Sequence, residues 1–560
     1  MARKRTRSRA RVGVFTGVAA AAALAFPGAA SAAVTSQVAN GDLVVTSNAG
    51  DAVVITEVGG QVKVNGADPQ SGEAASATID SIAVTGGPDA NSIDLKGVTG
   101  TAFPLLASVT VDGGGGNDTI NGSQLADVLD GGAGNDRIIG DDNQQDTSDV
   151  VRGGVGDDTL VWNPGDDDDI NDGGAGDDTS EVNGGGKEQF EVKPSATPGR
   201  VLFERVQPDA TFGAPFEVDI SDDTERLDLN AGAGEDIVNS AAGLDALSFA
   251  LDIDGGEGND TIDGGDGADL LSGGNGNDRL TGDDNPQNTR DVVRGDAGDD
   301  TMVWNGGDDD DVNEGGADND TTEVNGAAVG ERFTVKPSLA TPGGVRFDRT
   351  GPTPPGPFNI EISGDSERLD LNANAGSDSV STDPGVSSLQ LDVEGGAGND
   401  TLEGGDGADL LSGGSDQDVI RSRDKAADEV DGGDGVDLAK VDKRDRPRDV
   451  ETVIGGGLRV RHLGGTAITV AGNVAAVRLQ SVGTRQSSGR VRLLRGGRSL
   501  GSVQYKVTRK PKTIRIKLNR RGRRLLAGSS SKGKSAKLQI DARDARGNGW
   551  RTTTQITLKR

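Results

Sequence analysis

The 560-residue chain contains no cysteine and a single histidine, His462. No disulfide framework can staple it, and zinc, which draws its ligands mainly from those two residue types, has nothing to bind. A lone histidine also excludes the H-E-x-x-H metalloprotease site and leaves His462, in a glycine-rich stretch, as a linker residue. Aromatic residues make up 3% and apolar residues 33% of the sequence, too few to fill a wide core. No apolar run reaches the roughly 18–20 residues of a membrane span, so none is expected in the mature chain.

What is abundant is glycine, 89 residues, and acid, 90 aspartates and glutamates. They are ordered. The string G-G-x-G-x-D occurs ten times without mismatch, starting at Gly113, Gly131, Gly153, Gly173, Gly255, Gly264, Gly273, Gly395, Gly404 and Gly432. Where copies abut, at 255–281, the period is nine and the eighth place is apolar: Ile262, Leu271 and Leu280. Glycines reach backbone conformations with positive φ, so six residues can turn tightly with carbonyls facing a cation, and the aspartate closes the cage. The next residues run as a very short strand whose apolar side chain stacks on its counterpart one coil away.

Two nonapeptides make one coil of 18 residues, so a cation between stacked turns should see aspartates 18 apart. Asp118 with Asp136, Asp260 with Asp278, and Asp400 with Asp418 have that spacing. Calcium suits such a cage because it accepts six to eight oxygens, carboxylate and carbonyl, in flexible geometry; magnesium demands a tighter octahedron.

These residues resemble the RTX, or haemolysin-type, calcium-binding repeat, over 113 to about 440. The resemblance implies an all-β fold, a right-handed parallel β-roll or solenoid, with several Ca2+ ions held by the sixth-place aspartates and the glycine-loop carbonyls. Carried over residue by residue, it names Asp118, Asp136, Asp158, Asp178, Asp260, Asp269, Asp278, Asp400, Asp409 and Asp437. Degenerate turns add Asp300 in GDAGDD, Asp320 in GGADND and Asp418 in GGSDQD, while Asp149, Asp291 and Asp428 lie nine residues before a good copy. Asp127 falls on the period, but its turn reads GSQLAD and no calcium is expected there.

A longer period overlies the short one. Residues 136–184 recur at 278–326, an offset of 142 that carries Trp162 onto Trp304 and the acidic run 166–169 onto 308–311. Either tryptophan could serve as a sugar platform, but packing under the loops GDDNQQDTSD and GDDNPQNTRD is the expected role. The roll thus divides into about three tandem modules, 113–254, 255–393 and a short 394–454, each of the first two ending in a spacer. Alternating runs such as FEVKP and RVLFERV, separated by PSATPGR or PSLATPGG, predict a hairpin in each spacer. Residues 33–112 carry similar strands and are expected to cap the roll, since a solenoid needs atypical ends.

Residues 1–32 read as a secretory signal peptide: MARKRTRSRAR is basic, VGVFTGVAAAAALAF is apolar, and Ala30-Ser31-Ala32 is the cleavage motif. The resulting expectation is a secreted, extracellular protein, possibly attached to the cell surface. RTX proteins usually leave by an uncleaved C-terminal signal, so this leader departs from the pattern. Residues 458–560 hold 26 lysines and arginines against Asp541 and Asp544, a net of +24, which leaves −57 on 1–457. So dense an acidic array with a thin core repels itself, and calcium binding should be coupled to folding. After a linker, 455–476, alternation in SLGSVQYKV, KTIRIKL and SAKLQIDARD predicts a small immunoglobulin-like β-sandwich over 477–560. Its basic face is open to two readings: a surface for anionic cell-wall polymers or glycans, or solvated strands docked on the acidic roll. Nucleic acid is not expected, because the region offers only Tyr505 and Trp550 for stacking. The sequence favours a non-enzymatic, calcium-folded rod over an extracellular polysaccharide-modifying enzyme or an adhesin.

Overall fold

The computed structural model describes residues 33–560 apart from 141–147, 207–214, 245–248, 283–289, 306–309, 352–356, 456–458, 463–466, 483–485, 528–532, 544–548 and a few single positions. Residues 1–32, expected as a signal peptide, and most of both inserted loops therefore lie outside the described residues.

Each perfect nonapeptide folds as a tight turn followed by a short strand, and at Gly131, Gly153, Gly173 and Gly273 the first three residues of the repeat also extend the preceding strand. Thr119–Asn121, Arg137–Ile139, Thr261–Asp263 and Arg279–Thr281 each bury only their middle residue. Parallel pairing stacks those middle residues in register, Ile120 on Ile138 and Ile262 on Leu280. The turns depend on positive φ at the second and fourth places, as at Gly132 (99°) and Gly134 (132°). Degenerate turns keep the geometry by placing aspartate in the left-handed region instead: Asp296 at 71°, Asp318 at 86° and Asp416 at 80°. Aspartate tolerates that region better than most residues, so lost glycines do not break the register.

The coils build two long sheets of twenty strands each. At about 4.8 Å per strand, each is roughly 90 Å long. Side chains alternate between the thin interior and solvent, and the turns form two edges. The order of strands and turns shows what the 142-residue duplication does in space. It contains an odd number of half-coils, so equivalent strands fall on opposite sheets: Asp149–Val155 pairs within one, and its counterpart Val292–Ala297 within the other. Successive modules are thus turned by half a revolution about the rod.

The predicted hairpins are present, Gln189–Pro194 antiparallel to Arg200–Arg205 and Arg332–Pro337 antiparallel to Val345–Thr350. They do not project as free loops. A third strand, Phe216–Ser221, pairs antiparallel to Arg200–Arg205 and parallel to Asp169–Ala175, while Gln189–Pro194 pairs parallel to Ile237–Ser240. The hairpin is therefore spliced into the parallel sheet. The half-turn puts the two splices on opposite sheets, one in each.

The splices supply what the nonapeptides lack, aromatic core. Trp162 stacks on Phe216 and Trp304 on Phe358, both at 3.7 Å between centroids, with Phe203 and Phe347 behind them. Both tryptophans are fully buried, so they are not sugar platforms. Their described partners are spacer phenylalanines, and no run of the sequence links Trp162 to a residue 54 positions on; packing against the inserted loops lies outside the described residues.

The N-terminal region joins the same sheets. Asp42–Thr46, Ser81–Thr85 and Ser108–Asp112 stack in parallel onto Asp127–Ala133, and that end is closed by Thr35–Ala39, antiparallel to Asp42–Thr46, in one sheet and by Gln61–Val64, antiparallel to Ala52–Val58, in the other. At the other end, the stretch expected as a linker contains strands Arg459–His462 and Ala467–Ala471, which pair into the C-terminal sheet. Its short alternating runs, broken by glycine, hid them. The C-terminal strands form one eight-stranded sheet around their own core, seven strands along one path and Lys512–Lys517 pairing off it onto Val474–Val482. Helix Arg520–Ala527, capped by Asn519, crosses it.

Replacing Trp162 or Trp304 with alanine is expected to cost about 3–5 kcal/mol of its module's stability. Leu339→Ala, at a fully exposed hairpin tip, should stay within about 0.5 kcal/mol. Denaturant unfolding with calcium present measures both.

Candidate calcium ladders

Along each edge the sixth-place aspartates stack into a ladder. One carboxylate oxygen, Oδ1, accepts the backbone N–H of the aspartate one coil earlier. Asp118 N donates to Asp136 at 2.7 Å, Asp136 N to Asp158 at 2.8 Å and Asp158 N to Asp178 at 2.8 Å. In the second module Asp260 N donates to Asp278, Asp278 N to Asp300 and Asp300 N to Asp320. In the third, Asp400 N donates to Asp418 and Asp418 N to Asp437. Within each module the other edge carries Asp149, Asp269 with Asp291, or Asp409 with Asp428 in the same relation, and the half-revolution between modules exchanges the two edges. The 18-residue pairs are adjacent rungs, and loop insertions lengthen the step to 19–24 residues without breaking it.

The second oxygen is different. In all the aspartates named from sequence except Asp149, Asp291 and Asp409, Oδ2 is buried and has no hydrogen-bond partner. A carboxylate oxygen removed from water without a partner is costly, and a repeated orphan of this kind calls for a cation. Oδ2 lies beside the first glycine of its own turn and that glycine's carbonyl one coil on. A methyl group added at Gly255 would come within 2.6 Å of both Asp260 Oδ2 and the Gly273 carbonyl; at Gly395 the corresponding distances are 2.7 and 2.8 Å. The cradle is thus lined by one carboxylate oxygen and backbone carbonyl oxygen, and has no room for a side chain. Among the described residues no three His, Cys, Asp or Glu side chains converge as a metal cluster. Side chains alone do not make the site. The donor set suits calcium, for which carbonyls complete the shell.

Burial pushes the ladder carboxyls up, to about 6 at Asp118, Asp178, Asp260 and Asp320 and about 7 at Asp158, Asp300 and Asp418. Deep burial takes Asp269 to about 8, and burial together with the neighbouring Asp169 and Asp127 carboxylates takes Asp149 to about 10. The folded roll therefore resists holding these groups charged, and a bound divalent cation would reverse that preference.

Asp127 sits on the ladder too, buried, with its N–H donated to Asp149. Its own carboxylate, however, accepts the Ser123 N–H at 2.5 Å and the Ser123 hydroxyl at 2.8 Å. Serine at the second place thus takes the carboxylate that other turns leave open, which agrees with leaving Asp127 out. At Asp409 the Gly405 N–H caps Oδ2 in a similar way. Sequence reasoning missed Asp236 and Asp378, which carry the same orphaned Oδ2 and the same backbone bonds to Asp260 and Asp400. Their turns read AGAGED, the repeat with its first glycine replaced by alanine, and ANAGSD, with the second glycine replaced by asparagine as well; that register was the available signal. Asp169 and Asp311, from the acidic runs, and Glu225, Glu367 and Glu451 also accept rung N–H groups.

The family model described as RTX calcium-binding nonapeptide repeat matches in four copies, over 110–144, 252–285 and 392–420. The chain therefore carries RTX calcium-binding repeats in these three segments. The matched segments fall on the three runs of close-packed nonapeptides, and Ca2+ is the ion such repeats bind. No curated protein matches the chain. When bound, calcium would supply positive charge to the Oδ2 oxygens and draw the glycine carbonyls of adjacent RTX turns together.

Replacing Asp260 and Asp278 together with alanine should lower the calcium stoichiometry in calorimetric titration and loosen the middle module. Asp127→Ala should leave the stoichiometry unchanged. A pH dependence follows from the raised carboxyl values. Folding without metal is favoured where these groups are protonated, and that stability is lost as pH rises through about 6 to 7. In chelator, circular dichroism should show β content falling across that window, and saturating calcium should flatten the profile.

Proposed function

We propose that the protein is exported and folds outside the cell as a calcium-stiffened rod that carries a basic terminal module. The orphaned carboxylate ladder carries this reading. In a compartment poor in free calcium, −57 charges on a thin core keep residues 1–457 loose; at extracellular calcium, sites of about 10⁻⁴ to 10⁻³ M affinity would fill and order the roll. The leader at 1–32 supports export.

The basic module packs at the end of the roll, where Lys537 Nζ lies 3.8 Å from Asp449 Oδ2. Away from that contact, Arg520, Arg521, Arg523 and Arg524 are exposed on one short helix. This arrangement favours display of a cationic patch toward anionic wall polymers or acidic glycans. A second reading, a polysaccharide-modifying enzyme, draws on a polar cleft of about 390 Å³ in the third module, lined by Glu403, Asp406 and Asp424 with Arg421, Arg423 and Lys440. No aromatic residue lines it. The string GRSLG at 497–501 does not help that reading: it sits on an antiparallel hairpin, not on a strand-to-helix elbow.

Small-angle scattering of the mature chain should show a compact rod with calcium, its roll roughly 90 Å long, and an expanded chain in chelator. Unchanged scattering would reject the rod as a calcium-dependent state. Changing the four helix arginines to glutamine should weaken retention on an anionic polysaccharide in a salt-dependent way. Glu403→Gln should not alter any glycan turnover unless the second reading is correct.

A further inference from the structure

Each splice interrupts a ladder with a glutamate where the repeats place aspartate. Glu188 N donates to Asp236 Oδ1 and Glu331 N to Asp378 Oδ1, both at 2.6 Å, as in any rung. Their carboxylates are finished differently. Glu188 Oε2 accepts the Gly185 N–H at 2.9 Å, and Oε1 accepts Arg205 Nη1 at 2.7 Å. Glu331 Oε2 accepts the Ala327 N–H at 2.8 Å, and Oε1 accepts Arg349 Nε at 2.5 Å. All four side chains are almost completely buried.

Each arginine comes from the hairpin strand next to the glutamate and faces aromatic rings. The Arg205 guanidinium lies 4.7 Å from the Phe216 centroid and 5.6 Å from that of Trp162, and Arg349 lies 5.9 Å from that of Phe358. A buried arginine of this kind needs a carboxylate, and glutamate has the extra methylene that lets an edge residue reach it.

We infer that Arg205 and Arg349 are built-in counter-cations that take, in these two coils, the place calcium takes in the nonapeptide coils. The inference rests on the calcium reading of the ladders. The splice coils hold a rung carboxylate that is already neutralised and the aromatic cores of the roll. They order without metal. In chelator the rod is therefore segmented: two metal-independent blocks, the three-stranded splices from Gln189–Pro194 to Phe216–Ser221 and from Arg332–Pro337 to Phe358–Ile362, separate three segments, the nonapeptide coils with the adjoining Asp236 and Asp378 rungs, that order only with calcium. The blocks give each segment a preformed end on which to stack, so calcium-driven ordering spreads from the splices.

Hydrogen–deuterium exchange of the full mature chain, with calcium and in chelator, tests this. In chelator, peptides from Gln189–Pro194, Arg200–Arg205, Arg332–Pro337 and Val345–Thr350 should stay protected while those from 113–139, 255–281 and 395–420 exchange freely. Arg205→Met with Arg349→Met should speed exchange of the splice strands in chelator by about a hundredfold, the loss expected when one partner of a buried pair is removed. The lysine pair, which keeps the charge, should restore most of the protection, and neither pair should change the number of calcium ions bound to the nonapeptides. Splice strands that exchange as fast as the nonapeptides in chelator would overturn the inference. So would methionine protecting as well as arginine, since packing would then suffice. If the nonapeptides stay protected in chelator, the calcium reading fails instead, and the methionine and lysine pairs still decide the role of the arginines.

Discussion

The roll depends on burying a carboxylate at nearly every half-coil with only one of its oxygens satisfied. Oδ1 is fixed by a backbone N–H of the neighbouring coil, so the aspartate cannot swing out to water without breaking the stack. Oδ2 is left facing glycine backbone. The geometry that makes the turns stack thus creates the demand for a cation at each of them. Where a turn lacks that demand, the reason is visible in a single residue, as when Ser123 takes both oxygens of Asp127.

Thinness and charge reinforce each other. A three-residue strand buries one aliphatic side chain, about 1.5–3 kcal/mol at most, against the entropy of ordering nine residues at about 1–2 kcal/mol each. Nonapeptide coils cannot fold on apolar burial alone. The splices, with tryptophan and three phenylalanines apiece, approach an ordinary core. Turning each module by half a revolution puts one splice in each sheet, so neither sheet carries both insertions.

The parts of the fold with a short period were legible. The nine-residue spacing identified the turns, the strand positions and the adjacent rungs Asp118–Asp136, Asp260–Asp278 and Asp400–Asp418, because neighbours in space are also neighbours at a fixed offset. Asp236 and Asp378 escaped because alanine replaced the first glycine of each turn and asparagine the second glycine of the Asp378 turn, although the backbone there still turns with positive φ at Gly232 and Asn374. What was not legible depends on pairing at no fixed short offset: the splice of each hairpin into the parallel sheet and the seating of Trp162 on Phe216, both over about 50 residues, and the meeting of Glu188 with Arg205 across a hairpin 17 residues on. The same holds for Arg459–His462, whose place in the C-terminal sheet is set by a partner strand beyond a glycine-rich break.

The most direct test of the central claim, that a divalent cation of calcium's size completes the ladders, is far-ultraviolet circular dichroism of residues 33–560 titrated with calcium after chelation, with magnesium as control. A cooperative gain of β signal near millimolar calcium, absent with magnesium, is the predicted result. A β spectrum of full amplitude in chelator at neutral pH, indifferent to both ions, would contradict it.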